Sequence, residues 1–314
     1  MPRAMIDQND SVFVAGHRGM VGSALLRCLR SRGYGRLITR TRDELDLLDQ
    51  HAVHAFLAEQ RPRCVFIAAA RVGGIQANNE LRADFLYENL QIAANLIQGA
   101  HLAGIQHLLF LASNCIYPRD CVQPMPESAL LTGPLEPTNE PYAIAKIAGL
   151  KLCESHQRQH GRNYISVMPA SLYGPNDNYT PGQSHVLPAL LRRAHEAKRR
   201  GDAELVVWGS GTPRREFLYV DDLAEACVML AETGYDGAPL NIGCGDDLSI
   251  RQLAEAVCAT VGYPGRLVFD TSKPDGMPRK LLDSSRISAL GWLPKVPLPE
   301  GLHRAYAAAP WRGD

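Results

Sequence analysis

Several common features are missing from this 314-residue sequence. Its eight cysteines include no Cys-x-x-Cys pair. In a chain this long they read as reduced thiols, which excludes a disulfide framework. No uninterrupted apolar run approaches the ~18 residues of a membrane span. The polar stretch Met1–Asp10 contains no apolar core of a signal peptide. A soluble, cytoplasmic protein is expected. Neither sign of charge is in excess, since Lys+Arg and Asp+Glu are both 33. That balance argues against a nucleic-acid or membrane-surface partner. Any anionic ligand must then be met by local basic residues. Internal repeats and low-complexity segments are also absent. His156 and His160, spaced i, i+4 on a helical pattern, make half a metal site. No third ligand is evident beside them, so they read as a solvated helix face and no metal is expected.

What is present is alternation. Ser11–Ala15, Leu37–Arg40, Cys64–Ile67, Leu108–Leu111 and Ile165–Met168 read as strands. Helical patterns lie between them near Met20–Arg32, His51–Glu59, Ala83–Ala103 and Pro141–His160. Apolar strands alternating with helices predict an α/β fold: a doubly wound parallel sheet, covered on both faces. After Met168 the rhythm loosens. Leu172–Gln183 reads as a loop and His185–Arg200 as a basic helix. A strand (Glu204–Val207), a helix (Asp221–Ala231), a strand (Pro239–Ile242), a helix (Ser249–Val261), a strand (Arg266–Phe269) and a short C-terminal helix follow. We expect a dinucleotide-binding domain at 1–174, with a returning segment at about 215–242. A smaller α/β substrate domain is expected at 175–214 and 243–314.

The first strand runs into Gly16-His17-Arg18-Gly19-Met20-Val21-Gly22, which opens a helix. Glycines here let the backbone approach a diphosphate, and the helix N-terminus offers free N–H groups and the positive end of its dipole. The spacing is not the commonest dinucleotide fingerprint. After the second strand an NAD-binding fold usually places an acid for the ribose 2′-OH. Here the chain reads Thr39-Arg40-Thr41-Arg42, and Arg18 lies in the glycine loop. Arginines suit a 2′-phosphate, so NADPH is the expected cofactor.

Downstream stand Ser113 and the pair Tyr142-x-x-x-Lys146. Tyr142 and Lys146 share a helix face. A nearby ammonium is expected to lower the phenol pKa, and such a tyrosine can protonate the oxygen of a carbonyl under reduction. Ser113, just after the fourth strand, can hydrogen-bond the same oxygen. Cys115, in the same loop, adds a group able to move protons on carbon.

These residues resemble the extended short-chain dehydrogenase/reductases. The stretches GHRGMVGSAL, TRDELDLLD, AAARVGGI, PTNEPYAIAKIAG and SKPDGMPRKLLD look more narrowly like the GDP-L-fucose synthase family, over about residues 11–300. The resemblance implies a homodimer acting on GDP-4-keto-6-deoxy-D-mannose. C3 and C5 are epimerised and C4 is then reduced with NADPH. It implies Cys115 as base and His185 as acid for the epimerisations. Their chemistry is sound, because the C4 ketone acidifies both carbons, and inversion needs a base on one sugar face and an acid on the other. It further implies cofactor contacts at Asp46, Leu47, Leu111, Ala112, Lys146, Pro169, Ala170, Ser171, Leu172 and His185. Arg193, Trp208, Arg215, Asp275 and Lys280 match its substrate positions. Arginine forks suit a pyrophosphate, and an aromatic can pack on a base or sugar. Arg192, Arg199 and Arg200 read as a solvated face. Asn114 departs from the family pattern, which has serine there.

Three other readings compete. A 4,6-dehydratase has an acid beside the catalytic serine, but no acid follows Ser113 until Asp120. A 4-epimerase holds NAD, against Arg40 and Arg42. A non-catalytic cofactor sensor tends to lose the tyrosine or lysine, and both are kept.

Overall fold

The computed structural model describes residues 4–273 and 275–311. In chain order its strands are β1 (Ser11–Ala15), β2 (Arg36–Ile38), β3 (Cys64–Ile67), β4 (His107–Leu111), β5 (Asn163–Pro169), β6 (Ser171–Tyr173), β7 (Glu204–Trp208), β8 (Arg214–Arg215), β9 (Phe217–Tyr219), β10 (Leu240–Ile242), β11 (Leu248–Ser249), β12 (Arg266–Asp270) and β13 (Arg279–Lys280). The helices are α1 (Met20–Ser31), α2 (Gln50–Gln60), α3 (Ile75–Glu80), α4 (Arg82–Leu102), α5 (Glu140–His160), α6 (Val186–Arg200), α7 (Val220–Thr233), α8 (Ile250–Val261), α9 (Ser285–Ala289) and α10 (Leu298–Ala307).

The apolar strands assemble a six-stranded sheet in the order β10-β5-β4-β3-β1-β2, with every pairing parallel. Both faces are covered, which is why β3 and β4 are buried along their whole length. Leaving β1 for β2 runs one way across the sheet, and leaving β3 for β4 runs the other. Right-handed crossovers therefore put α1 and α4 on opposite faces. Helix α7 packs on α1, while α2, α4 and α5 pack together. The strand order reverses at β1 and β3, where a crevice opens at the carboxyl ends.

A second cluster of buried side chains joins α6, α8 and α10 to strands β7 and β9. Strand β7 pairs in parallel with β12. Strands β11, β8 and β13 form a small sheet of their own. All eight cysteines are free.

The second strand stops earlier than its sequence suggests, at Ile38 rather than Arg40. Arg40 Nη1 donates to the Thr39 carbonyl at 2.8 Å, and Glu44 accepts from Thr41 N–H at 2.7 Å. These local bonds turn the chain before the arginines can pair. Within the expected loop 172–183, Ser171–Tyr173 is extended and pairs in parallel with Phe217–Tyr219. That partner lies far along the chain, so the glycine- and proline-rich segment gave no local sign of it. His156 is also not on a solvated face. It is 6% exposed, because α4 packs against α5.

Asn241 on β10 ties three segments together. It accepts from Tyr117 Oη at 2.6 Å and donates to the Met125 and Asp283 carbonyls at 2.9 and 3.1 Å. Tyr117 closes the loop that carries Ser113 and Cys115. Asn241→Ala leaves the buried Tyr117 hydroxyl without its acceptor and takes a donor from the Met125 and Asp283 carbonyls, and each lost partner costs roughly 1 kcal/mol or more. We predict a loss on the order of 3 kcal/mol. A urea titration should show a lower midpoint at unchanged slope; an unshifted midpoint would remove Asn241 from this role.

Candidate active site

The glycine loop lies in the crevice between β1 and β3. Gly16 has φ +84, and a Cβ there would stand 2.7 Å from Ala69 Cα. Gly22 sits so close to the loop that a Cβ would fall 2.2 Å from the Gly16 carbonyl oxygen. Only glycine closes this turn. Gly19 is the N-cap of α1 and supplies no side-chain bond to the first turn, which also holds no acid. The positive end of the helix, with Met20 and Val21 opening it, is thus left for an anion. His17 is half-buried and Arg18 exposed at its rim. The residues fit a dinucleotide diphosphate.

Beyond β2, Arg40 is held against the Phe56 ring, 5.0 Å from its centroid, while Arg42 is exposed. Glu44 lies close to Arg40 and Arg18. Its carboxyl is held below its usual range by bonds from Thr41, then by those arginines. Asp46 accepts from Leu48 N–H at 3.0 Å, and Leu47 is pinned by Asn95, whose amide donates to the Leu47 carbonyl at 2.9 Å. Neither Glu44 nor Asn95 stood out in the sequence; an acid beside arginines and an asparagine in a helix are both common.

The catalytic candidates gather at the carboxyl end of β4. Leu111 ends the strand and Ala112 follows it, both buried. Ser113 Oγ accepts from Cys115 N–H at 3.2 Å and opens a short 3-10 turn, Asn114–Ile116. Asn114 is buried, and its Oδ1 accepts from the Cys115 thiol at 3.8 Å. Lys146 Nζ donates to the Leu111 carbonyl at 2.8 Å and lies 5.7 Å from the Tyr142 ring centroid. Burial lowers the Lys146 pKa to about 7. Burial, then the neighbouring Cys115, pushes the Tyr142 phenol up, while a Ser113 bond pulls it down. The expected drop in the phenol pKa is therefore corrected. Dehydration outweighs the amine, which is spent on a carbonyl and only partly charged. Tyr142 is a phenol at neutral pH, the form that gives a proton to a carbonyl oxygen.

Cys115 is surrounded by donors. Asn139 Nδ2 lies 3.4 Å and Lys280 Nζ 3.7 Å from its sulfur. Lys280 also acts on His185, whose pKa is lowered first by burial and then by that cation. Neighbouring protein groups crowd His185, yet the residue is exposed, as one lining a cleft is. It is the N-cap of α6 and uses no side-chain capping bond. Pro169 and Ala170 are buried at the end of β5, and Ser171 and Leu172 open β6.

The substrate candidates divide. Arg215 and Lys280 are direct partners across the β8–β13 pairing. Arg215 lies near both Cys115 and Asp275, and burial lowers its pKa. Asp275 accepts from Ser210 N–H and Oγ at 2.9 and 2.7 Å. Trp208, at the end of β7, is 61% exposed, with Lys273 Nζ 5.5 Å from its ring centroid. Arg193 donates to the Val206 carbonyl on the same strand. Of the arginines read as solvated, Arg192 is half-buried, pairing with Glu196 at 2.6 Å and donating to the Tyr179 carbonyl. Arg200 pairs with Asp202.

A model of the NAD-dependent epimerase/dehydratase family matches residues 12–243. The chain is 56% identical to a GDP-L-fucose synthase of Escherichia coli over 304 residues, 94% of this chain and 95% of that protein. It is also 56% identical to GDP-L-fucose synthase 1 of Arabidopsis thaliana, over 96% of this chain and 94% of that one. Among solved structures, a GDP-L-fucose synthetase from Naegleria fowleri bound to NADP superposes with a TM-score of 0.88 at 26% identity, covering 98% of this chain and 96% of that one.

A loop from β3 positions the start of α6. Gly74 N–H donates to the Gln183 carbonyl at 2.8 Å, and a Cβ on Gly74 would stand 2.6 Å from the Ser184 carbonyl oxygen. Gly74→Ala must push the backbone that leads directly into His185. We predict a fall in turnover on the order of tenfold or more, as small misplacements of reacting groups cost that much. NADPH affinity should hold. Steady-state kinetics with a fluorescence titration checks this, and full turnover would show that the loop does not set His185.

Proposed function

We infer that this chain, which belongs to the NAD-dependent epimerase/dehydratase family and within it to the GDP-L-fucose synthases, converts GDP-4-keto-6-deoxy-D-mannose to GDP-L-fucose. It epimerises C3 and C5 and then reduces C4 with NADPH. The observation that carries this reading is the sulfur of Cys115, faced by Asn139 and Lys280, in the loop that also presents Ser113. Reduction alone needs only Ser113, Tyr142 and Lys146. A sulfur among donors beside them supplies proton transfer at carbon, which a simple reductase does not need.

The residue roles follow. Cys115 removes the proton from C3 or C5, giving an enolate that Ser113 and Tyr142 hold by its oxygen. His185, reached from α6, returns a proton on the other face. Bound NADPH supplies the hydride to C4. Tyr142 then protonates the C4 oxygen, and its neutral phenol is suited to that. Lys146 fixes the loop through Leu111. Arg215, Lys280 and Arg193 are proposed to meet the diphosphate, with Trp208 against the base and Asp275 on its hydroxyls. Gly16–Gly22, Arg18, Arg40, Arg42, Asp46, Leu47, Leu111, Ala112 and Pro169–Leu172 are proposed to line the cofactor.

The domain division at 1–174 with 215–242, against 175–214 with 243–314, is proposed on the same reading. In its support, β10 joins the central sheet and α7 packs on α1. Residues 1–3 and 312–314, at its ends, lie outside the described residues. We also propose a cytoplasmic homodimer. Among the described residues no helix is long and apolar enough to cross a membrane. Exposed Tyr87 and Leu90 on α4 and Ile144 on α5 offer apolar surface to a second copy.

NADPH oxidation with GDP-4-keto-6-deoxymannose, followed by NMR of the product sugar, tests the activity. In deuterated water the wild type should label C3 and C5, and Cys115→Ser should label little at either. Full labelling by Cys115→Ser would make another group the base. Tyr142→Phe should lower reduction by about 10²–10⁴-fold while NADPH still binds; near-normal turnover would sink its role. Arg42→Ala should weaken NADPH more than NADH, by roughly 1.5–3 kcal/mol for a lost charged hydrogen bond. Equal losses for the two cofactors would show that Arg42 does not read the 2′-phosphate.

A further inference from the structure

At the other end of α5, three histidines meet. His101 comes from the last turn of α4, and His156 and His160 from the last turns of α5. One ring nitrogen from each lies within 4.8 Å of the others. The rings are 4.6, 4.3 and 5.5 Å apart between centroids. We propose that His101, His156 and His160 form a second site, one that takes a divalent transition-metal ion preferring imidazole, such as Zn²⁺, and clamps α4 to α5.

The central observation is His156. It is 6% exposed, and neither of its ring nitrogens has a hydrogen-bond partner. A buried polar atom left unpaired costs free energy, and ordinary packing avoids it. The His101 and His160 rings lie 4.6 and 5.5 Å from its own between centroids, so its unpaired nitrogens stand beside a histidine cluster. His156 and His160 stand at i, i+4, the spacing at which two helical histidines share one metal. His101 adds a third ligand from a separate helix. No carboxylate or thiol belongs to the cluster. Three neutral nitrogens favour zinc, nickel or copper over calcium or magnesium.

Metal ligands must be neutral imidazoles. Burial, then the neighbouring histidines and Arg162, lowers the His156 pKa to about 4. Burial first, then His160 and Arg162, lowers His101 as well. Around a tetrahedral zinc the nitrogens stand about 3.4 Å apart at bond lengths near 2.05 Å. The rings must close in by roughly an ångström, which the exposed His160 and half-buried His101 can do by rotation. Arg162 works against the ion, because its Nε donates to His101 Nδ1 at 3.2 Å. It holds one lone pair of the cluster and adds a positive charge.

The cluster is remote from the catalytic loop. Tyr142 and His160 are 18 positions apart on one helix, about 27 Å along its axis. Binding can therefore be tested separately from turnover. The untagged full chain is titrated with Zn²⁺ by calorimetry at neutral pH, with a thermal melt in parallel. Wild type should bind one ion per chain and melt at a higher temperature with Zn²⁺ than with a chelator. His160→Ala should weaken binding on the order of tenfold or more and abolish the shift, while turnover in chelated buffer stays as in wild type. Arg162→Ala should tighten binding, since it frees His101 Nδ1. Co²⁺ in place of Zn²⁺ should give ligand-field bands with no thiolate charge-transfer band. No binding by wild type, equal affinity in His160→Ala, weaker binding in Arg162→Ala, or a strong thiolate band would each overturn the proposal. The last would place the ion on a cysteine.

Discussion

The site depends on how two short strands share four cations. Strands β8 and β13 pair in parallel, with Arg214 opposite Arg279 and Arg215 opposite Lys280. Successive side chains on a strand point to opposite faces. Arg214 and Arg279 therefore point the same way, and both bind Asp247, a carboxylate 6% exposed, at 2.7 and 2.5 Å. The two arginines hold its carboxyl below the usual range against the cost of burial. Arg215 and Lys280 must then face the other way, towards Cys115. A slip of one residue would exchange the two pairs and turn the working cations away from the sulfur. Glu216, 1% exposed, locks the register by accepting from Leu282 and Gly245 N–H groups at 3.0 and 2.8 Å.

On the proposed site, this arrangement lets a chain with no net charge offer charge to a doubly charged diphosphate. Its charge is placed locally rather than added in bulk. A positive helix end waits at Gly19, and paired cations wait at Arg215 and Lys280. In between, burial controls protonation. It pushes the Tyr142 phenol up and brings Lys146 to about 7, so the tyrosine keeps its proton. Spacing alone suggests an activating ammonium; in three dimensions the ammonium is committed to the Leu111 carbonyl.

Much of this was legible in the sequence because it is local. The apolar strands, the glycine turn and the Tyr-x-x-x-Lys helix each follow from neighbouring residues. Strand β1 begins and ends where its pattern does, and α5 does so to within one residue. What was hidden depends on distant partners. β6 is extended because of β9, and Asp247 matters because two arginines from different strands converge on it. His101 lies 55 positions from His156 in the chain, so only the packing of α4 on α5 completes that cluster. Long-range convergence leaves no periodic trace.

Asn139 shows where local rules yield to the site. It is the N-cap of α5, a place where asparagine normally accepts from a first-turn N–H. It makes no such bond. Its Oδ1 is buried without a partner, and its Nδ2 is turned onto Cys115. The helix start gives up a cap that is typically worth about 1 kcal/mol. In exchange, a rigid helix rather than a mobile loop supplies a donor to the sulfur. The same helix carries Tyr142 and Lys146 on its first two turns. Anything that shifts α5 therefore moves the tyrosine and the sulfur's donor together. A local defect kept at such a point is expected where function, not stability, sets the residue.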